Sequence, residues 1–435
     1  MDTITKATQS QKEKFLSQFK ENCCIDTNRD LQNIRDAAQA ALEKLNFPTT
    51  RDEYWKYTRI APILRGTYHQ MPGSEPVDLG PTLIENMDSY DLVFVNGYFS
   101  PEHSSRLESE SWLVLPLSEA RNNYPELITK HYGQYADYEK HAFTALNTAY
   151  CQEGACILLK DNAQLDKPVR IINLTQGDAI AYHPRNLLVF GKGSKGAVLL
   201  SYETGSGTHA FTNAVSEIVV QENAHAELFL MQHKSDTNSH IETTQVFQEK
   251  NSQFQATTIT LKGKIVRNNL NVVVDGENCL TRINGIYLTR GKQHVDNHTM
   301  IDHRQPHCES HELYKGIMNE SSTGVFNGKV FVRQYAQKTN AFQSNQNILL
   351  TDQATINSKP ELEIYADDVK CSHGSTTGQF DEEAVFYLRS RGIGEASARK
   401  LMINAFAADV LEYISIEPLR DRIEAYIEER YETVL

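Results

Sequence analysis

The sequence predicts a mainly β chain with helical ends, and three patterns in its 435 residues carry that prediction. From about Gly154 to Phe380, short apolar runs of strand character recur: ACILL, AVLLSY, EIVV, AELFLMQ, TTITL, NVVV, KVFV and LEIYA, four to seven residues each. On either side of that stretch the apolar residues fall at helical spacing instead. Between the strands, turn-forming residues return at Gly193, Asn223, Asn251, Asn278, Asn319 and Asp352, at intervals of 30, 28, 27, 41 and 33 residues. Intervals of this size suit a solenoid, in which each coil buries its apolar face only by stacking on its neighbours. A β-sandwich, whose hairpins turn about every 8 to 12 residues, stays open on pattern alone.

Three regions follow, at 1–152, 153–380 and 381–435. In the first, Leu31, Ile34, Ala38, Ala41, Leu42 and Leu45 form one apolar helix face between Asp30 and Asn46. Ser118 to Tyr150 holds further helix, broken near Pro125. Leu92 to Ser100 reads as a hairpin turning at Asn96-Gly97, a pair suited to two positive φ angles. The middle region is the β core. In the third, Asp381 is positioned as a helix N-cap. Ala384, Val385 and Leu388 make one helical face, and Leu401, Met402, Ala405, Phe406, Val410, Leu411 and Ile414 another, separated by Gly392 and Gly394. Ile423 and Ile427 beyond Pro418 predict a last short helix. Such helices are expected to cap the open end of the stack, which is a sheet edge needing cover.

Composition excludes several classes. With 43 Lys and Arg against 56 Asp and Glu, the net charge is -13, which disfavours nucleic acid and anionic membranes as partners. The opening MDTITKATQSQKEKFLSQFKENCC lacks the apolar core of a signal peptide, and no run reaches the roughly 18 apolar residues of a membrane span, so a cytoplasmic protein is expected. Seven cysteines without a Cys-x-x-Cys pair support neither a disulfide framework nor a zinc ribbon.

Chemistry concentrates at Lys359 to Gly392. Leu362 and Ile364 alternate with Glu361 and Glu363 as in a half-buried strand, and Cys371 and His373 then share a face. Side chains two apart on a strand stand about 6.5 to 7 Å from each other. A tight chelate therefore needs a bend at Ser372 or Gly374, and the pair is half of a soft-metal site. His294, His298, His303, His307 and His311, with Asp296, Asp302 and Cys308, form a second cluster. Its His-x-x-x-His spacing is that of helical metal sites, yet Arg304 replaces the glutamate of a zinc protease and Pro306 forbids a long helix. The alternation of VDNHTMID predicts strands with a turn at Gln305-Pro306, and structural histidines. Other templates fail: GKGSKGA departs from P-loop spacing, and no Gly-x-Ser-x-Gly is present. Arg282, Arg290 and Asp275 suggest a β-helical polysaccharide lyase only weakly, since such enzymes are exported. Trp55, Lys56 and Tyr57 read as core packing with one lysine head reaching solvent.

The runs YADDVKCSHGST and FYLRSRGI, with DEYWKYT at Asp52 to Thr58 and GVFNG at Gly324 to Gly328, resemble the SufD side of the SufB/SufD family of iron-sulfur cluster assembly scaffolds. The resemblance implies a right-handed parallel β-helix core flanked by N-terminal and C-terminal helical regions. It implies a non-enzymatic subunit that forms a heterodimer with SufB through the β-helix and docks the SufC ATPase on its C-terminal helices. It further implies a nascent iron-sulfur cluster at the SufB interface, with His373 as a ligand and Cys371 as an auxiliary thiol. No cofactor is required by the isolated chain, which can then pair with itself. The contrasting expectation is a stand-alone metal-dependent enzyme using the cluster from His294 to His311.

Overall fold

The computed structural model describes residues 2–20, 26, 28–73, 76–105, 109–379 and 381–431. From Arg185 onward the chain alternates between two sheets. One stacks Lys195–Thr204, His225–His233, Gln253–Lys262, Leu280–Thr289, Glu309–Met318, Asn340–Leu349 and Lys370–Gln379. The second stacks Arg185–Phe190, Phe211–Val220, Ser239–Gln248, Ile265–Val274, His294–His303, Thr323–Val332 and Thr355–Ile364. Neighbours within each sheet run parallel. One strand per sheet per coil is a solenoid, here of about eight coils, and the sandwich is set aside.

The strands run to nine or ten residues, longer than the apolar runs suggested. Polar residues extend them. Asn268, Gln232 and Thr260 lie buried in a mutual hydrogen-bond network, and a strand whose faces are covered on both sides loses its simple alternation.

One corner of the coil repeats almost without change. Asn162, Gly193, Asn223, Asn251, Asn278, His307 and Lys338 all have φ between 56° and 64°. Each donates its backbone N–H to the next coil, as Asn223 does to Lys250 at 3.0 Å and Asn251 to Glu277 at 2.8 Å. Asparagine tolerates this left-handed conformation, and here its side chains also stack: Asn251 Nδ2 donates to Asn223 Oδ1 at 3.0 Å and Asn278 Nδ2 to Asn251 Oδ1 at 3.3 Å. Asn319 and Asp352 do not belong to this corner. They sit at the opposite bend, so the 41-residue interval merges two different turns.

Between the sheets the core is aliphatic through most of the stack, with Val198, Leu228, Val246, Val272, Ile283 and Ile301 among its members. Toward the last coils it turns polar, with Glu312, Gln343, Asn345 and Asn347 all buried.

Helices flank both outer faces. Asp2–Lys20, Arg29–Lys44 and Ala142–Tyr150 cover the second sheet, bringing Phe15, Phe19, Leu42, Phe143 and Leu146 against Phe211, Ile241 and Ile265. Asn28 caps Arg29–Lys44 by accepting from the amides of Asp30 and Leu31. Lys12 donates to the carbonyls of Glu43 and Leu45 at the other end of that helix. The helix Asp2–Lys20 has no counterpart in the sequence reading. Helices Leu117–Asn123 and Pro125–His131 break at Tyr124, where Pro125 opens the second. The Asn96-Gly97 hairpin is present with φ of 53° and 82°. Its first strand, Tyr90–Val95, pairs in parallel with Val169–Thr175 and so begins the first sheet.

Glu382–Ser390, Glu395–Leu411 and Glu417–Arg430 form the C-terminal region. The last two lie along the outer face of the first sheet. Ile403, Ala407, Val410, Leu411, Ile423 and Ile427 meet Leu199, Phe229, Met231, Ile259, Ile286 and Ile317. Each large aliphatic side chain so buried contributes about 1.5 to 3 kcal/mol. These helices therefore do not cap the stack. Thr355–Ile364 and Lys370–Gln379 remain at the ends of the two sheets, with side chains half-buried or exposed. No helix of the described residues is long and apolar enough to cross a membrane.

Candidate functional site

The open coil end holds the Cys-x-His pair. Lys370–Gln379 is a regular strand, registered Cys371 to Ala341, Ser372 to Phe342, His373 to Gln343 and Gly374 to Ser344. No bend at Ser372 or Gly374 brings the two ligand-type side chains together. They point to the same face at strand spacing, and their surroundings differ. Cys371 is half-buried among Val330, Val332, Ala336, Ala341 and Ala366, and burial pushes its thiol above the usual range. His373 is exposed. Asp381 then accepts from the amides of Glu383 and Ala384 and opens the following helix as an N-cap.

Behind His373 the inner face of the first sheet carries a polar ladder that the sequence did not announce. Glu312, Gln343 and His373 occupy one register position in three successive coils. Gln343 Nε2 donates to Glu312 Oε2 at 2.7 Å, and the Thr299 hydroxyl donates to Oε1. Burial pushes the Glu312 carboxyl up to about 7 against the pull of those two donors. Gly328, in the GVFNG run, leaves room for the amide: a Cβ there would stand 2.2 Å from Gln343 Nε2. Alongside, Ser375, Ser358, Asn345, Asn347 and Tyr287 form a chain of hydroxyls and amides leading inward from the open end.

The second cluster disperses. His294 and His298 face outward from the second sheet, His303 faces inward to Ser310 Oγ at 2.9 Å, His307 occupies the left-handed corner, and His311 stacks on Phe342 on the other sheet. Among the described residues no three His, Cys, Asp or Glu side chains are grouped to hold a metal ion. His294 and His298 instead serve the N-terminal DEYWKYT run. Asp296 between them pairs with Arg267 at 2.6 Å and His298 at 3.0 Å and accepts from the Thr58 hydroxyl, while Thr58 Oγ1 and His294 Nε2 are 2.7 Å apart. Arg267 holds the Asp296 carboxyl far below its ordinary value and burial depresses His298. Trp55 packs on Arg267, whereas Tyr54 and Tyr57 are exposed. The trio is thus one anchoring indole with exposed flanks.

Cys279 and Cys308 stack in adjacent coils just after the corner residues, both buried. The Cys308 thiol donates to the carbonyls of Gly276 at 3.2 Å and Pro306 at 3.4 Å, and its interaction with Cys279 lowers the Cys279 thiol while raising its own. Cys23 and Cys24 lie outside the described residues.

Residues 172–406 match the model of the SufBD core domain of SUF system FeS cluster assembly, and residues 7–171 match the SufBD protein N-terminal region. The chain is 34% identical to an iron-sulfur cluster assembly SufBD family protein of Synechocystis sp., over 97% of this chain and 96% of that one. It is 30% identical to the iron-sulfur cluster assembly protein SufD of Escherichia coli, over 90% and 92%, and 26% identical to SufD of Bacillus subtilis, over 92% and 94%. A two-sheet solenoid with an open final coil, flanked by helices on both faces and matched along nearly its whole length, belongs to the SufBD family of SUF-system iron-sulfur cluster assembly proteins.

Proposed function

We propose that this chain is a non-enzymatic scaffold subunit on whose open coil end a nascent iron-sulfur cluster is built jointly with a second, homologous solenoid of the SufB type. The observation that carries the reading is the exposure of His373 on the terminal strand Lys370–Gln379, whose outer edge is unpaired. A bare strand edge pairs readily with another chain. Iron-sulfur clusters are held by thiolates that histidine can replace, so one imidazole with a half-buried thiol behind it makes a half-site that a partner's thiolates complete. The cluster is cargo assembled at the seam rather than a group resident in this chain.

The C-terminal helices supply the second contact. Phe386, Tyr387 and Leu401 are exposed on Glu382–Ser390 and Glu395–Leu411, whereas Val385 of the first helix and Ala398, Ile403, Ala407, Val410 and Leu411 of the second are buried. This patch is where the SufC ATPase docks in our reading.

The test is replacement of His373 by Ala in cells that depend on this pathway. The complex with the SufB-type partner assembles as before, and cluster yield falls. Undiminished yield rules out His373 as a ligand.

A further inference from the structure

The buried Gln343 amide is half-satisfied. Its nitrogen donates to Glu312, yet its carbonyl oxygen is buried without a hydrogen-bond partner among the described residues, although the residue is only 3% exposed. An orphaned buried acceptor is costly and calls for a donor. The ends of a planar amide diverge, so with its nitrogen on the Glu312 rung the oxygen is directed away from it. The next rung is His373, registered opposite Gln343 on the adjacent strand and pointing to the same face. Neighbouring strands run about 4.8 Å apart, within reach of a hydrogen bond between side chains of this length. The amide has little freedom to turn, because it is packed over Gly328 and the Glu312 carboxylate, when ionised, only accepts.

We infer that Gln343 is a positioning residue for His373: anchored by Glu312, it presents its carbonyl oxygen to the inward ring nitrogen, which keeps the proton there and leaves the outward nitrogen free to bind iron. This deepens the reading of His373 as an interface ligand and rests on it. A neutral imidazole carries one proton on one of two nitrogens, and only the bare nitrogen coordinates a metal. A carbonyl behind the ring selects the competent tautomer before any cluster arrives, as outer partners of metal-bound histidines commonly do.

The tautomer can be read directly. The full chain is labelled with 15N-histidine, and long-range proton–nitrogen correlation spectra identify the His373 signals by their loss in His373→Ala. In the unaltered chain one neutral tautomer is favoured by about fivefold, the bias of one net hydrogen bond. Gln343→Met, which keeps length and removes the carbonyl, abolishes the bias, and Glu312→Gln, which frees the amide to turn, reduces it. Cluster yield falls in Gln343→Met but falls no further when that change is added to His373→Ala. Identical His373 tautomer populations in the unaltered chain and in Glu312→Gln and Gln343→Met overturn the inference. If His373→Ala leaves cluster yield intact, the ligand reading fails by itself, and the spectra still decide what Gln343 does.

Discussion

The Arg267 guanidinium lies 3.7 Å from the centre of the Trp55 ring. This contact joins the N-terminal region to the outer face of the second sheet, beside His294 and His298. Arg267 also donates to the Tyr54 carbonyl at 2.8 Å and pairs with Asp296, so one buried cation is shared by a ring, a peptide group and a carboxylate. An arginine stacked in this way is not replaceable by lysine.

Asp296→Asn leaves Arg267 buried without its counter-charge. The expected loss is about 3 to 5 kcal/mol in equilibrium urea unfolding. Thr58→Val, which removes one donor, is expected to cost only about 1 to 2 kcal/mol. Equal effects of the two changes would contradict the central role given to Asp296.

The corner ladder separates two contributions at one position. Asn251→Ala places an alanine at a φ of 57° and removes both side-chain rungs, with an expected cost of about 2 to 3 kcal/mol. Asn251→Gly relieves the backbone and loses only the rungs, for about 1 kcal/mol. Denaturation midpoints of the two variants check this order.

Glu312 makes stability depend on pH in a stated direction. Its folded value of about 7 lies above the reference 4.5, so between these values the unfolded chain loses a proton that the folded chain keeps. Stability from this group is complete below about pH 4.5 and declines by up to about 3 kcal/mol as pH rises to about 7, then levels. Glu312→Gln removes that decline, which thermal unfolding across the interval would reveal as a flatter curve of Tm against pH.

The exposed helical patch is tested by the double change Phe386→Ser, Leu401→Ser. With Phe386 71% and Leu401 49% exposed, stability should move by no more than about 0.5 kcal/mol. If the proposed docking holds, affinity for the SufC ATPase falls at least about tenfold, the loss expected from about 1.4 kcal/mol of apolar contact. Full retention of binding in a titration would place the docking surface elsewhere.

Asn223, Asn251 and Asn278 were legible as coil markers because asparagine is common where φ is positive. His307 and Lys338 hold the same corner without an asparagine, so the series passed instead to Asn319 and Asp352 of the opposite bend. The Asp381 cap and the Asn96-Gly97 turn were readable for the same local reason. The packing face of Glu395–Leu411 was not: apolar side chains are spread around that helix without one clear stripe, and the expected Leu401 and Ala405 face solvent while Ile403 and Ala407 are buried. Among the described side chains of helix Asp2–Lys20, the apolar ones given to the core are Phe15, Leu16 and Phe19, too few to stand out in a polar segment. At the site, Cys371 and His373 were evident as residue types. Gln343 and Glu312 were not, since their link to His373 exists only once coil register is known, and an isolated glutamine carries no chemical signature.

The two bare strands of the last coil are not equivalent. Thr355–Ile364 contains Pro360 among Lys359, Glu361 and Glu363, charges already engaged with Glu53 and Lys329, and such an edge resists casual pairing. Lys370–Gln379 carries serine, threonine and two glycines with open space around them, Gly374 and Gly378. One margin is guarded and its neighbour is left adhesive. Under the pairing proposed above, supply of this chain has to be matched to that of the second solenoid, because surplus copies closing on one another would withdraw the imidazole from use.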